Sequence, residues 1–396
     1  MKRFEKPFTQ QEPIPETAIN RAVDVMRSGR LHRYNIVQGE EPEVSALERE
    51  YAAWQGARFC LATTSGGTAL QIAMRAAGVR QGDLVLANAW TLAPVPGAMH
   101  AVGAVPIFVE IGDDWLIDVA DLEQKAERSG ARFLMLSHMR GHIGDMDAVG
   151  EICERHGITL IEDCAHTMGA RWKGIRSGNF GRVSCFSTQT YKHINSGEGG
   201  FLTTDDEEIA ARAIVGSGSY MLYRSHGARP DDAVFDRVRL DAPNTSSRMD
   251  NLRAAILRDQ LRNIEESIHA WNLRYRVLED GLRGRLGLRV IERPQHEAYV
   301  GSSFQFHAEI ADGSIPEFLS GCAARGVEVK WFGAAEPTGF TSRFDSWRYL
   351  GEPQALPHTL AALSTTCDIR VPLTFTETDC RDVAEIIVEE AGRLAA

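Results

Sequence analysis

The stretch "RFCLATTSGGTALQIAMRAAGV", residues 58–79, holds a complete strand-to-helix transition. A short apolar run ends at Thr64, Ser65 to Gly67 make a tight turn, and Ala69, Leu70, Ala73 and Met74 then recur at helical spacing. The same alternation continues downstream through "DLVLANA", "VPGAMHAVGA", "VPIFVEI", "ARFLMLSH", "MDAVGEICERHG", "ITLIED", "RVSCFST" and "GFLTTDD". Strands of this length alternating with helices build βαβ units. The expected fold is α/β: a three-layer α/β/α large domain around a mostly parallel, mixed sheet. Ligands of such sheets collect at the carboxyl ends of the strands. The residues that follow each strand are therefore the candidate site.

Past this region, residues 246–286 form a long amphipathic pattern with few breakers, which predicts a single helix leading out of the large domain. "SSFQFHAEI", "IPEFLSGCAARGVEVKWF" and "DCRDVAEIIVEEAGRLAA" then predict a small C-terminal α+β domain. The expected division is 1–265 and 266–396, with the N-terminal segment free to pack on the smaller unit. Residues 218–245 and 332–360 read as long loops.

With 396 residues, 43% of them hydrophobic and 24% charged, the chain can bury a large core. A net charge of −11 argues against a nucleic-acid partner. The seven cysteines are scattered without a CxxC pair, so neither a disulfide framework nor a zinc site is expected, and reduced thiols suit a cytoplasmic protein. Neither a signal peptide nor a membrane span is legible, so no membrane partner is expected.

Four strand ends carry chemistry. Ser65 to Leu70 open a helix whose free N–H groups and dipole suit a phosphate, although glycine-rich turns are often only tight turns. Asp163 ends "ITLIED"; a carboxylate there serves either as a cap or as the acceptor of a charged hydrogen bond from a protonated ring nitrogen. His166 follows three residues later, as a loop histidine or a ligand contact. Ser187 ends "RVSCFS", and five residues later stands Lys192, a lone lysine of the kind that forms a Schiff base when its pKa is lowered. A phosphate cradle, a ring-nitrogen carboxylate, a hydroxyl and a lysine are together what pyridoxal 5′-phosphate requires.

"SGGTAL", "GDLVLANAWT", "GAVPIFVEI", "IEDCAHTMGA", "FSTQTYKHINSGEGGFLTTDD" and "SSRMDNLRAAI" resemble, in consistent order from about residue 15 to 390, the successive motifs of the DegT–DnrJ–StrS sugar aminotransferases, within the aspartate aminotransferase fold type I. The resemblance implies that Lys192 anchors the cofactor and carries protons, that Asp163 meets the pyridine nitrogen, and that His166 neighbours the ring hydroxyl. It implies that Ser187 and the backbone of Gly67 and Thr68 hold the phosphate, with Gly67 standing where the family has a threonine. Leu92 occupies the place of the family's stacking aromatic, which leaves Trp90 as the candidate to cover the ring. The family also borrows an asparagine from a second subunit; a gapless match gives Ser246 here, and Asn244 is the nearby asparagine. A homodimer with active sites at the subunit interface is thus expected.

A subgroup of the family replaces the lysine by histidine and dehydrates its substrate. Counting back from Gly197 lands on Lys192, with His193 beside it, so the aminating pattern is kept. The implied reaction moves an amino group from glutamate or glutamine to a keto sugar or related keto-polyol. Arg33, Tyr34 and Gln189 are the candidate acceptor contacts, with "HMRGH" (138–142) and "KWF" (330–332) as further lining. The alternatives are another pyridoxal-phosphate reaction, such as elimination or exchange, and a regulator that binds the cofactor without turnover. An NAD-dependent oxidoreductase is the weaker competitor, because "GSGS" (216–219) follows no strand and lacks the third glycine.

Overall fold

The computed structural model describes residues 2–395. Seven strands form its large sheet: β1 (Phe59–Thr63), β2 (Leu84–Asn88), β3 (Val105–Val109), β4 (Phe133–Ser137), β5 (Thr159–Asp163), β6 (Val183–Ser187) and β7 (Gly200–Thr204). Their spatial order is β1-β7-β6-β5-β4-β2-β3. All neighbours pair in parallel except β7, which is antiparallel to both β1 and β6. The mostly parallel mixed sheet expected from the alternation is present.

Successive side chains on a strand point to opposite faces, and here both faces are apolar. Leu86, Leu134, Leu136 and Leu160 pack against the helices Val119–Ser129 and Met146–His156. Val85, Ala87, Met135 and Ile161 pack against Gly66–Ala76, Pro94–Val102 and Glu207–Gly216. A three-layer arrangement follows directly. Because β7 runs against its neighbours, its first residue Gly200 lies beside Thr63 and Ser187, the last residues of β1 and β6. The carboxyl ends of β1, β5 and β6 therefore share one edge of the sheet.

The C-terminal part contains an antiparallel sheet ordered Leu288–Arg289, Ser303–Ala308, Thr366–Arg370, Lys330–Trp331. Phe304, Phe306 and Ile369 of this sheet join Phe318, Val383 and Ile387 of the helices Ile315–Ala324 and Glu377–Leu394 in a core continuous with one face of the large sheet. The N-terminal segment packs here too. Phe4 and Phe8 meet Phe375 edge-on at 4.9 Å each, and Lys6 reaches Asp379 at 2.6 Å.

Two expectations need correction. The single helix predicted over 246–286 is two, Asn251–Arg262 and Ile264–Leu282, broken at Asn263 (φ −102°, ψ 7°). Leu257 and Leu261 of the first pack with Val44 and Leu47 near the N-terminus, whereas Trp271, Tyr275 and Leu278 of the second pack with the C-terminal core. The chain must turn between these two targets. The predicted loops also contain helices, Asp232–Val238 and Pro357–Thr365, too short for periodicity to reveal.

Candidate active site

Asp163 closes β5 and is buried. Its Oδ2 accepts from the Ser137 hydroxyl at 2.9 Å, and its Oδ1 from the Ala165 N–H at 3.2 Å. These donors do not offset its burial, which raises its pKa above the ordinary carboxylate value. Such a carboxylate is suited to a cationic N–H partner. Next to it, Glu162 is held by the N–H groups of Gly178, Phe180 and Gly181 and by His138 Nε2 at 3.0 Å. That network ties the loop before β6 to the end of β5, and so fixes Ser187 relative to Asp163.

Ser187 faces the start of the helix Gly66–Ala76. A Cβ on Gly66 would lie 2.9 Å from the Ser187 Cβ, and one on Gly200 would lie 2.6 Å from the Gly66 nitrogen. Only glycines allow the three strand ends to approach so closely. Ser65 caps the helix, its Oγ accepting from the Thr68 N–H at 3.1 Å and lying 2.8 Å from the Thr68 hydroxyl. Thr68, expected to hold phosphate through its backbone, thus already gives its N–H to the cap. The first-turn N–H groups of Gly66 and Gly67, which have no intrahelical acceptor, are the ones left for an anion.

Lys192 is half-buried in the turn after β6, with Nζ 2.7 Å from His166 Nε2. Desolvation, reinforced by the Arg140 guanidinium and opposed by Asp163, pulls its pKa down to about 7. Burial and the Lys192 charge likewise hold His166 well below its usual value, so its imidazole is neutral. The structure therefore brings Lys192, His166 and Asp163 together at the sheet edge that carries Ser187 and Gly67.

Other expected residues fall elsewhere. Trp90 is 1% exposed, meeting the Phe332 ring edge-on at 5.5 Å and packing beside Trp115 and His142. It is a core residue with protein around its ring, which corrects its expected place over the cofactor. Arg33 is also corrected as an acceptor contact. Its fully buried guanidinium makes two 2.9 Å bonds to Glu48 and lies 3.0 Å from His226 Nδ1. Tyr34 is half-buried, its hydroxyl 2.8 Å from the other His226 nitrogen. Gln189 Oε1 accepts from the Tyr191 N–H at 3.0 Å and shapes the turn that presents Lys192. His193 meets the Ser302 hydroxyl at 3.2 Å and the Trp271 ring edge-on at 5.3 Å. Asn244 lies on the surface, and its hydrogen bonds among the described residues are to Ser246, which adopts φ 52°.

Ser137 and Glu162 join the site beyond the residues to which the sequence points: Ser137 carries a usable signal, since it ends a strand adjacent to the one that ends at Asp163, whereas Glu162 carries none.

A buried strand-end carboxylate, a glycine-built cradle against a serine and an enclosed lysine with a lowered pKa fit pyridoxal phosphate. On this fold they define a pyridoxal-phosphate-dependent aminotransferase of fold type I. The chain belongs to the DegT/DnrJ/EryC1/StrS aminotransferase family, which it matches over residues 14–388. It is 34% identical, over 82% of this chain and 76% of the relative, to a Micromonospora echinospora protein that carries the name of an L-glutamine:3-amino-2,3-dideoxy-scyllo-inosose aminotransferase. It is 30% identical to the dTDP-3-amino-3,4,6-trideoxy-alpha-D-glucose transaminase of Streptomyces venezuelae, over 80% of this chain and 85% of that one. The crystal structure of S. venezuelae DesV in complex with a ketimine intermediate superposes with a TM-score of 0.80 at 26% identity, covering 98% of this chain and 100% of DesV.

Proposed function

We propose that the protein moves an amino group from glutamine or glutamate to the keto group of a sugar or cyclitol, in the biosynthesis of an amino sugar or natural product. The observation that carries this reading is Lys192 itself, enclosed between His166 and Asp163 with a pKa near 7. When bound, pyridoxal phosphate supplies the electron sink on which amino transfer depends. Asp163 holds the proton on the ring nitrogen. Ser187 and the Gly66 and Gly67 N–H groups orient the phosphate, and His166 lines the ring. Lys192 Nζ anchors the cofactor and afterwards takes and returns the proton at the substrate's reacting carbon. The names of the relatives, which concern scyllo-inosose derivatives and a nucleotide-linked amino sugar, support a polyhydroxylated ring as acceptor.

In our reading the protein is a cytoplasmic homodimer whose Asn244 or Ser246 completes the phosphate site of the partner subunit. Several features support this. Tyr220, Met221 and Leu222 are about half exposed, as an unmade interface would leave them. All seven cysteines are free and buried, and among the described residues no helix is long and apolar enough to cross a membrane. The break at Asn263 supports a division of the chain near residue 265.

The test is a half-reaction. Glutamine added to the yellow holoprotein, with no acceptor present, is expected to convert the cofactor to its colourless amino form, and a keto-cyclitol is expected to restore the colour. A spectrum that stays yellow with both glutamine and glutamate would rule out the proposed donors.

A further inference from the structure

Two cations from separate parts of the chain, Arg140 and Lys330, share one buried carboxylate, and a third, Arg370, stands two residues along the strand that carries it. Asp368, fully buried in the strand Thr366–Arg370, lies 3.2 Å from Arg140 Nη2 and 3.4 Å from Lys330 Nζ. Its other oxygen accepts from Gln305 Nε2 at 2.7 Å, and Gln305 in turn meets His142. Arg370, two residues along the same strand, lies over the Tyr191 ring with Cζ 3.5 Å from the centroid, and Tyr191 adjoins Lys192. The turn that carries Arg140 touches the reacting centre, since the His138 N–H donates to the Asp163 carbonyl at 3.0 Å and a Cβ on Gly141 would lie 3.2 Å from the His166 carbonyl oxygen; the same cations also disfavour the charged form of Lys192.

Arg140 is the least satisfied member. It is 9% exposed, yet its Nε has no hydrogen-bond partner among the described residues, and its Nη2 meets Asp368 at 3.2 Å without hydrogen-bond geometry. Its backbone is also held in the left-handed region, at φ 55°. A buried guanidinium with unpaired N–H groups is costly unless a ligand completes it. A donor amino acid brings a carboxylate and can do so in its half of the cycle. A neutral acceptor would leave the surplus cations unpaired in the other half, in the same site.

Resting on the aminotransferase reading, we infer that Arg140, Lys330 and Arg370 form an acid-binding subsite and that the keto acceptor carries a carboxylate: a keto-uronic or keto-cyclitol acid in place of a neutral ring. The donor's carboxylate is the other source of the same charge, and separate half-reactions distinguish the two.

The holoenzyme is tested first with unreactive probes, cyclohexanecarboxylate and cyclohexylmethanol, whose binding is followed by the absorption of the bound cofactor. The acid is expected to bind at least about tenfold more tightly, one charged hydrogen bond's worth. Arg140→Met and, separately, Arg370→Met are expected to erase that difference, and Arg140→Lys to keep part of it. The colourless amino form is then offered a keto-uronate and the neutral keto-hexose of the same ring. The wild type is expected to use the acid at least about tenfold better in kcat/KM, a ratio that collapses in the variants. Three results would overturn the inference: equal binding of acid and alcohol by the wild type, an acid preference unchanged in both variants, or variants that slow only the glutamine half-reaction. Failure of the aminotransferase reading looks different, since glutamine would then leave the wild-type spectrum unchanged whatever the probes did.

Discussion

Lys192→Ala is expected to lower amino transfer at least about 10³-fold, a loss of roughly 4 kcal/mol of transition-state stabilisation. The variant removes the covalent anchor and the proton carrier together, and no other residue can replace it. Its nearest polar neighbour, His166, lies 2.7 Å away but is held neutral by burial and by the Lys192 charge. His193 is turned toward Ser302 and Trp271. Added methylamine is expected to restore part of the rate, because the missing group is an amine and the pocket keeps its shape. Retention of more than a tenth of wild-type activity would remove Lys192 from the chemistry. The pH dependence follows from the lowered pKa. A lysine in water loses its proton near 10.5, whereas this one does so at about 7. Below pH 7 it is protonated and cannot attack; above pH 7 it is free to do so. Capture of added cofactor by the apoprotein is therefore expected to rise as pH increases through 7, not near 10.

Asp163→Asn is expected to reduce turnover about 10²- to 10³-fold and to weaken cofactor binding. The isosteric amide can accept from the Ala165 N–H through its carbonyl oxygen and donate its NH2 to the Ser137 hydroxyl, so the strand end is preserved. It cannot hold a proton on the ring nitrogen, because it carries no charge and its amide nitrogen donates where an acceptor is needed. Burial sharpens the contrast, since a charge-assisted bond away from water is worth more than one in solvent. Ser137→Ala removes one hydroxyl bond to the carboxylate but leaves its charge in place, and is expected to cost about tenfold. Equal losses in the two variants, read as kcat/KM for the complete reaction, would mean that the geometry of the Asp163 oxygens matters and their charge does not.

The residues that could be read from the sequence stand immediately after strands. Asp163, Ser187 and Lys192 were legible because the alternation of short apolar runs and helices fixes where a parallel sheet ends. Gly66 was legible as a turn, but its role against Ser187 depends on β7 being antiparallel, a pairing between distant segments that local pattern does not encode. Arg33 failed for a related reason. In sequence it sits in a polar segment, whereas in space Glu48 and His226, 15 and 193 residues away, enclose it. Trp90 showed that a displaced aromatic is more readily absorbed by the core than by a ligand. Arg140 lies in a stretch already marked as polar lining, but its left-handed backbone and its shared carboxylate with Lys330 appear only when the small sheet closes over the large one.

The most direct test of the account is reduction of the yellow holoprotein with borohydride, followed by proteolysis and mass spectrometry. A single modified peptide carrying the cofactor's pyridoxyl mass on Lys192 is expected. The same mass on any other lysine, or a protein that takes up no cofactor, would contradict it.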